Sequence, residues 1–219
     1  MKNKVSVASR IYMALVFVFL YAPIAVMMVF SFNSTTSTYQ LEGFSTYWWK
    51  EMFADTAAMN AMKNTIILAI CTAVAAGIIG VMAAVGLFLS KNKLYKRAMM
   101  NVTNVPMMNP EIVTGVSMML LFVFAGTLVH KSQVLGFGTL LIAHITFCLP
   151  YVILNVMPKL RQFDSSIYEA AVDLGCKPFR AFFKVVMPEI MSGIVTGCVM
   201  SFTMSLDDFI ISYFTNGPS

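Results

Sequence analysis

Apolar residues in this chain gather in five long blocks, not in the one-faced or alternating patterns of a water-soluble fold. Residues 11–32 form the first, interrupted by Pro23, and residues 65–89 the second. The third, 105–129, carries Pro106, Pro110 and Glu111; the fourth, 135–157, contains His144 and Pro150. The fifth, 190–213, has Asp207 and Asp208 near its far end. Each block is long enough to cross a hydrocarbon core of about 30 Å, which takes about 20 helical residues. The strict alternation of a membrane β-barrel is missing, so the spans are predicted as helices that satisfy their own backbone. The fold class expected is all-α: a polytopic membrane bundle forming one domain over 1–219, with no soluble domain.

Composition supports this. The 219 residues are 58% hydrophobic and 11% charged, whereas about a quarter of a soluble domain is charged. The charges also fix an orientation. Lys2, Lys4 and Arg10 precede the first span; Lys91, Lys93, Lys96 and Arg97 follow the second. Lys159, Arg161, Lys177, Arg180 and Lys184 lie between the fourth and fifth, which leaves Lys50, Lys63 and Lys131 for the opposite face. The excess of positive charge on cytoplasmic loops places the amino terminus and the 158–188 loop inside. The net charge of +5 thus reflects membrane orientation; the lipid bilayer is an expected partner and nucleic acid is not.

The first span is too long for the 7–15-residue apolar core of a cleaved signal, and no small-residue cleavage site follows Pro23 and Asn33, so it reads as a retained helix. Cys71, Cys148 and Cys198 lie in spans and Cys176 in the inner loop, with no spacing that suggests a disulfide or metal site. No cofactor is expected. Between the first two spans, the outer segment 33–63 starts as a polar turn region and ends in an amphipathic aromatic run, read as a short interfacial helix. Residues 98–104 read as an amphipathic stretch at the inner surface. Gly193, Gly197, Ser201 and Ser205, and likewise Thr72, Ala76, Gly80 and Ala84, recur every fourth residue. Such small-residue stripes let helices approach closely where lipid offers little hydrophobic drive.

The 158–188 loop is the most informative polar stretch. Glu169-Ala170-Ala171, then Gly175, then Met187-Pro188 fit the spacing E-A-A-x3-G-x9-I-x-L-P, with Val185 for Ile and Met187 for Leu. Ala170 and Ala171 are strong helix formers, small enough to enter a groove. Gly175 is placed to end that helix in a left-handed cap, Pro178 discourages continuation, and Pro188 suits the first turn of the next span. Glu169 is expected to pair with a base or to cap a free N–H near the helix start.

That pattern resembles the cytoplasmic coupling loop of bacterial ABC importer permeases. The likeness extends to MMNPEIVTGVSMMLLF, AHITFCLPYVILNV, VMSFTMSLDDFIISYFTNGP and LYAPIAVMMVFSFN, which are similar to the spermidine/putrescine importer permeases. The resemblance implies a type I importer permease (MetI-like) fold, a second permease subunit, a pair of ATPase subunits and an extracytoplasmic polyamine-binding protein. It implies polyamine uptake across the bacterial plasma membrane, with ATP hydrolysis left to the separate ATPase, so that this subunit is not itself an enzyme. It also implies a sixth helix, so the chain is expected to lack its last span.

Glu111, Asp207 and Asp208 are the acidic residues within spans away from the cytoplasmic boundary. Ionisable groups there cost about 2.5–3.5 kcal/mol on insertion scales and generally face a cavity or partner. At 1.5 Å per residue Asp208 sits about 30 Å beyond Pro188, near the outer mouth. Asp207 and Asp208 read equally as a hydrated helix end or as substrate contacts; Glu111, directly after Pro110, reads as a pathway or gating residue. Tyr47 and Trp48, with Trp49, could attract ammonium groups or, as is commoner, anchor the protein at the interface. His144 reads as a helix-packing residue. A same-fold permease for ferric iron or thiamine remains open. A membrane enzyme or channel fits less well, since adjacent Asp207 and Asp208 point about 100° apart on a helix and a channel has no use for the inner loop.

Overall fold

Helix accounts for nearly all regular structure in the computed structural model, which describes residues 7–37, 39–130 and 134–217. Lys2, Lys4 and Lys131, three of the charges used above for orientation, lie outside the described residues. The chain divides into two units, residues 1–63 and 64–219. Five helices are long and apolar enough to cross a membrane.

In the first unit, α1 (Val7–Phe30) carries Pro23 in its interior and buries none of its residues within this chain. A helix that is apolar all round is one buried in a protein core or crossing a membrane. The loop after it is organised by Asn33, which is 1% exposed. Its amide donates to the carbonyls of Ser37 at 3.0 Å and Gln40 at 2.7 Å, while its carbonyl oxygen accepts from the Glu42 N–H at 3.1 Å. Removing such a hub leaves buried backbone groups unpaired, at about 1–3 kcal/mol. Asn33→Ala is therefore expected to speed hydrogen exchange at the Glu42 amide by about tenfold or more. The loop leads into α2 (Tyr47–Ala54), the short aromatic helix expected here.

Next, α3 (Thr56–Leu89) starts well before the second apolar block because Asp55 caps it, its Oδ1 accepting from the N–H groups of Ala57 at 2.9 Å and Ala58 at 3.3 Å. The third block is not one span. Residues 98–104, expected at the surface, continue with 105–108 in α4 (Lys93–Met108), and α5 (Glu111–Leu128) follows. Pro110 explains the division: it lacks an N–H and drives Asn109 out of the α region, to φ −82° and ψ 145°.

The fourth block is α6 (Phe137–Gln162). Against it packs α9 (Met187–Asp207), antiparallel, through the predicted stripe. A Cβ on Gly193 would lie 2.8 Å from the Asn155 carbonyl oxygen, and one on Gly197 would lie 3.0 Å from Val152 Cα. Higher on the same seam, Cys148 Sγ donates to the Ser201 carbonyl at 3.5 Å, and Ser205 meets His144. The second stripe is used likewise: Thr72, Ala76, Gly80 and Ala84 of α3 are all buried, and a Cβ on Gly80 would come within 2.6 Å of Val152 Cγ1. Val152 is thus clasped between two glycines. Because the neighbour of Gly193 is backbone, Gly193→Leu is expected to cost about 1–3 kcal/mol and lower the thermal midpoint in detergent. Gly138→Ala, which meets nothing within 4 Å, should leave it unchanged.

The fifth block differs from expectation at both ends. Pro188 does not open the span. Helix runs unbroken over 178–207, from α8 (Pro178–Ala181) through a π turn (Phe182–Val186) into α9. The Met187 N–H bonds back to the Phe182 carbonyl, a wider turn that relieves the clash between a proline ring and the carbonyl one turn earlier. At the far end α9 stops at Asp207, Asp208 is extended (φ −78°, ψ 102°), and a separate α10 (Ile210–Thr215) packs against α5 and α6.

Candidate functional site

The inner segment is built around α7 (Ser165–Asp173). Asp164 is its N-cap, accepting from the Ser166 N–H at 3.0 Å. This corrects the expectation for Glu169, which is a mid-helix residue, exposed, with no basic partner among the described residues. The Asp-Ser-Ser sequence at 164–166 was the available signal for the cap. Its hydrogen bonds from the Ser166 backbone, then from the Ser166 side chain, hold the Asp164 carboxyl below the ordinary carboxylate range. The cap therefore stabilises α7 fully above the ordinary value and loses its effect as pH falls through the lowered one. Exchange at the Ser166 amide is expected to rise in that acid window, and Asp164→Ala to raise it at neutral pH.

At the other end Gly175 has φ +85°. Its N–H bonds the Val172 carbonyl at 2.9 Å, and the Cys176 N–H bonds the Ala171 carbonyl at 3.1 Å, a complete Schellman closure. Tyr168 packs on the core, Ala171 is half-buried, and Glu169 and Ala170 face outward. α7 rests on α8 and the π turn that precedes Pro188. Ile167, Leu174 and Phe179 are exposed around it, Leu174 at 88%, so a short capped helix held at both ends presents apolar side chains beside the exposed Glu169 and Asp173.

Two helix breaks bring together acids far apart in sequence. Glu111 begins α5, and one turn later Gly115 lies against Ile210, Ile211 and Phe214 of α10. Glu111 therefore stands at the start of the helix that packs on α10, and Asp207 and Asp208 stand at the break that leads into α10. Glu111 and Asp207 are exposed within this chain, while Asp208 is turned inward toward His144 of α6. His144 packs between helices as expected, bonded to Ser205 of the predicted stripe; its meeting with Ser212 and Asp208 was not foreseen, because it depends on the α9–α10 break. Tyr47 and Trp48 belong to the first unit, where their rings meet edge to face at 5.2 Å. Trp49 instead stacks on Phe32 at 5.8 Å.

A polytopic helical bundle with acids at interrupted spans and a stiff polar helix between two others has the build of a membrane transport subunit. Residues 76–219 match the family described as the binding-protein-dependent transport system inner membrane component, and the chain belongs to that family. It is 38% identical over 202 residues to the putrescine transport system permease protein PotI of Escherichia coli (strain K12), covering 92% of this chain and 72% of that protein. It is 36% identical over 210 residues to the spermidine/putrescine transport system permease protein PotC of the same strain, covering 95% and 76%. The PotC protein of Haemophilus influenzae is 35% identical over 208 residues, covering 95% and 78%. The chain is a membrane-embedded permease subunit of an ATP-driven importer, a transport component rather than an enzyme, and works with an ATPase and a binding protein.

Proposed function

We propose that this chain moves polyamines, spermidine or putrescine, from an external binding protein into the cytoplasm. Its partners in this reading are a PotB-like second permease, a PotA-like ATPase dimer and a PotD-like binding protein. The amino terminus and α7 face the cytoplasm, in keeping with the Lys and Arg distribution. The observation that carries the cargo assignment is the placement of Glu111, Asp207 and Asp208 at two helix breaks joined by the packing of α5 on α10. Carboxylates replace water around ammonium groups, and interrupted spans free backbone carbonyls to help. The five apolar blocks carry no lysine or arginine, which would favour anions instead; Arg10, Lys63, Lys159, Arg161, Arg180 and Lys184 lie in the helix ends outside them. Tyr47 and Trp48, in the first unit, are a separate candidate contact for an ammonium group, worth about 0.5–1 kcal/mol each at exposed rings.

On the inner side, Glu169, Ala170, Ala171 and Gly175 form the face that receives the ATPase, and Pro188 marks where the stroke enters the long helix 178–207. Rigidity is what this role demands. Asp164 and Gly175 close both ends of α7, so a push on it is passed to α9 instead of being lost in fraying. The assignment is tested by ATP-driven uptake of radiolabelled spermidine into proteoliposomes holding the partner subunits. Competition by unlabelled spermidine and putrescine, and none by thiamine or ferric iron, is expected; the reverse order would overturn the cargo reading.

A further inference from the structure

The break between α9 and α10 has a built interior. His144 is 0% exposed. Its Nδ1 lies 2.9 Å from Ser205 Oγ on α9, and its Nε2 lies 3.0 Å from Ser212 Oγ on α10. The Ser212 hydroxyl donates to the Asp208 carbonyl at 2.9 Å, so towards His144 it can only accept. Nε2 therefore carries the hydrogen and Nδ1 accepts from Ser205. One chain of donors runs from α9 through α6 to α10 and back to the break. Asp208 is held against this chain, its side chain 2% exposed. Its Oδ1 accepts from the Ile211 N–H at 3.2 Å, while Oδ2 stands 3.6 Å from Nε2, buried and without a hydrogen bond.

We propose that His144 is a positioning residue: it pins the α9–α10 break with Asp208 facing inward, and the transport cycle unpins it, turning that carboxylate toward the cargo beside Glu111 and Asp207. The charges around the pocket favour an unstable resting position. The neighbouring charged groups are acids, Asp207 beside it in the chain and Glu111 at the start of the helix packed on α10; α6 presents His144 to it, and Tyr213 on α10 points outward. Asp208 is thus buried with an open acceptor and no counter-ion, held by hydrogen bonds to the six-residue α10, whose Ser212 is in turn bonded to His144. Such a group gains most from a move toward positive charge. The inference rests on the polyamine reading only in taking the cargo to be cationic.

The test is carboxyl labelling of the reconstituted importer with a water-soluble carbodiimide and an amine, read by mass spectrometry at Asp207 and Asp208. Complexes are compared at rest and trapped with ATP and vanadate in the presence of the binding protein. Asp207 should label in both states. Asp208 should label about tenfold more in the trapped state, the ratio expected when one or two hydrogen bonds are exchanged. Ser212→Ala and His144→Leu should expose Asp208 at rest, and His144→Gln, which keeps a donor and an acceptor, should restore much of its protection. Equal protection of Asp208 at rest and in the trapped wild-type complex overturns the hinge, as does resting wild-type labelling that matches Asp207. These ratios need no knowledge of the cargo. A labelling shift with failed polyamine competition would remove the cargo reading and leave the hinge standing.

Discussion

Gly175→Trp is expected to reduce ATP-driven uptake by more than tenfold while ATP hydrolysis by the assembled complex continues. Gly175 holds φ +85°, where a side chain costs about 1–2 kcal/mol. A Cβ there would meet nothing within 4 Å in this chain. The indole would therefore leave the spans intact and project from the end of α7 onto the face proposed for the ATPase. Strain at the cap adds to the damage by loosening the Schellman closure. Gly175→Asn separates the two effects, since asparagine tolerates the left-handed region and is much smaller; most uptake should survive. Uptake and hydrolysis measured on the same proteoliposomes check both variants, and normal uptake by Gly175→Trp would contradict the coupling role.

Neutralising the acids at the breaks should have the second largest effect. Glu111→Gln, Asp207→Asn and Asp208→Asn each remove one charge from a site proposed to replace water around ammonium groups. A charge-assisted contact is worth about 1.5–3 kcal/mol, so a loss of about tenfold or more in kcat/KM per residue is expected. Asp208→Asn keeps an oxygen that accepts from the Ile211 N–H, so its loss should report the missing charge and not a lost helix end. The thermal midpoint separates loss of charge from loss of fold: Glu111 and Asp207 are exposed, so their variants should melt as the wild type does. Unchanged uptake in all three variants would remove these residues from the pathway.

What the sequence made legible was local or periodic. Five apolar runs announced five crossing helices because a bilayer demands that length. The stripes at Gly193–Ser205 and Thr72–Ala84 became packed faces because only small side chains admit a second backbone. Gly175 could be read as a helix end because few other residues take its backbone conformation easily. The misreadings came from tertiary structure. The stop at Asp207 needs α10 to find Gly115 and His144, contacts far away in the chain. Pro188 looked like a helix start, yet the π turn before it absorbs the proline within a continuous rod. Glu169 was expected either to pair with a basic residue or to cap, and it is Asp164 that caps. The placement of Glu111 near the α9–α10 break follows from two interruptions: Pro110 signalled one, and the helix end read as one alternative for Asp207 and Asp208 is the other, although Asp208 is buried there and not hydrated.

The central claim is that α7 lies on the cytoplasmic side in contact with a nucleotide-driven partner, and a single labelling experiment tests it most directly. Ala170→Cys in a Cys176→Ser background places an exposed thiol on the outer face of α7. The account predicts labelling by an impermeant maleimide in inside-out vesicles and none in right-side-out ones, with protection when the ATPase is bound. Labelling from the outside, or labelling that the ATPase leaves unchanged, would contradict it.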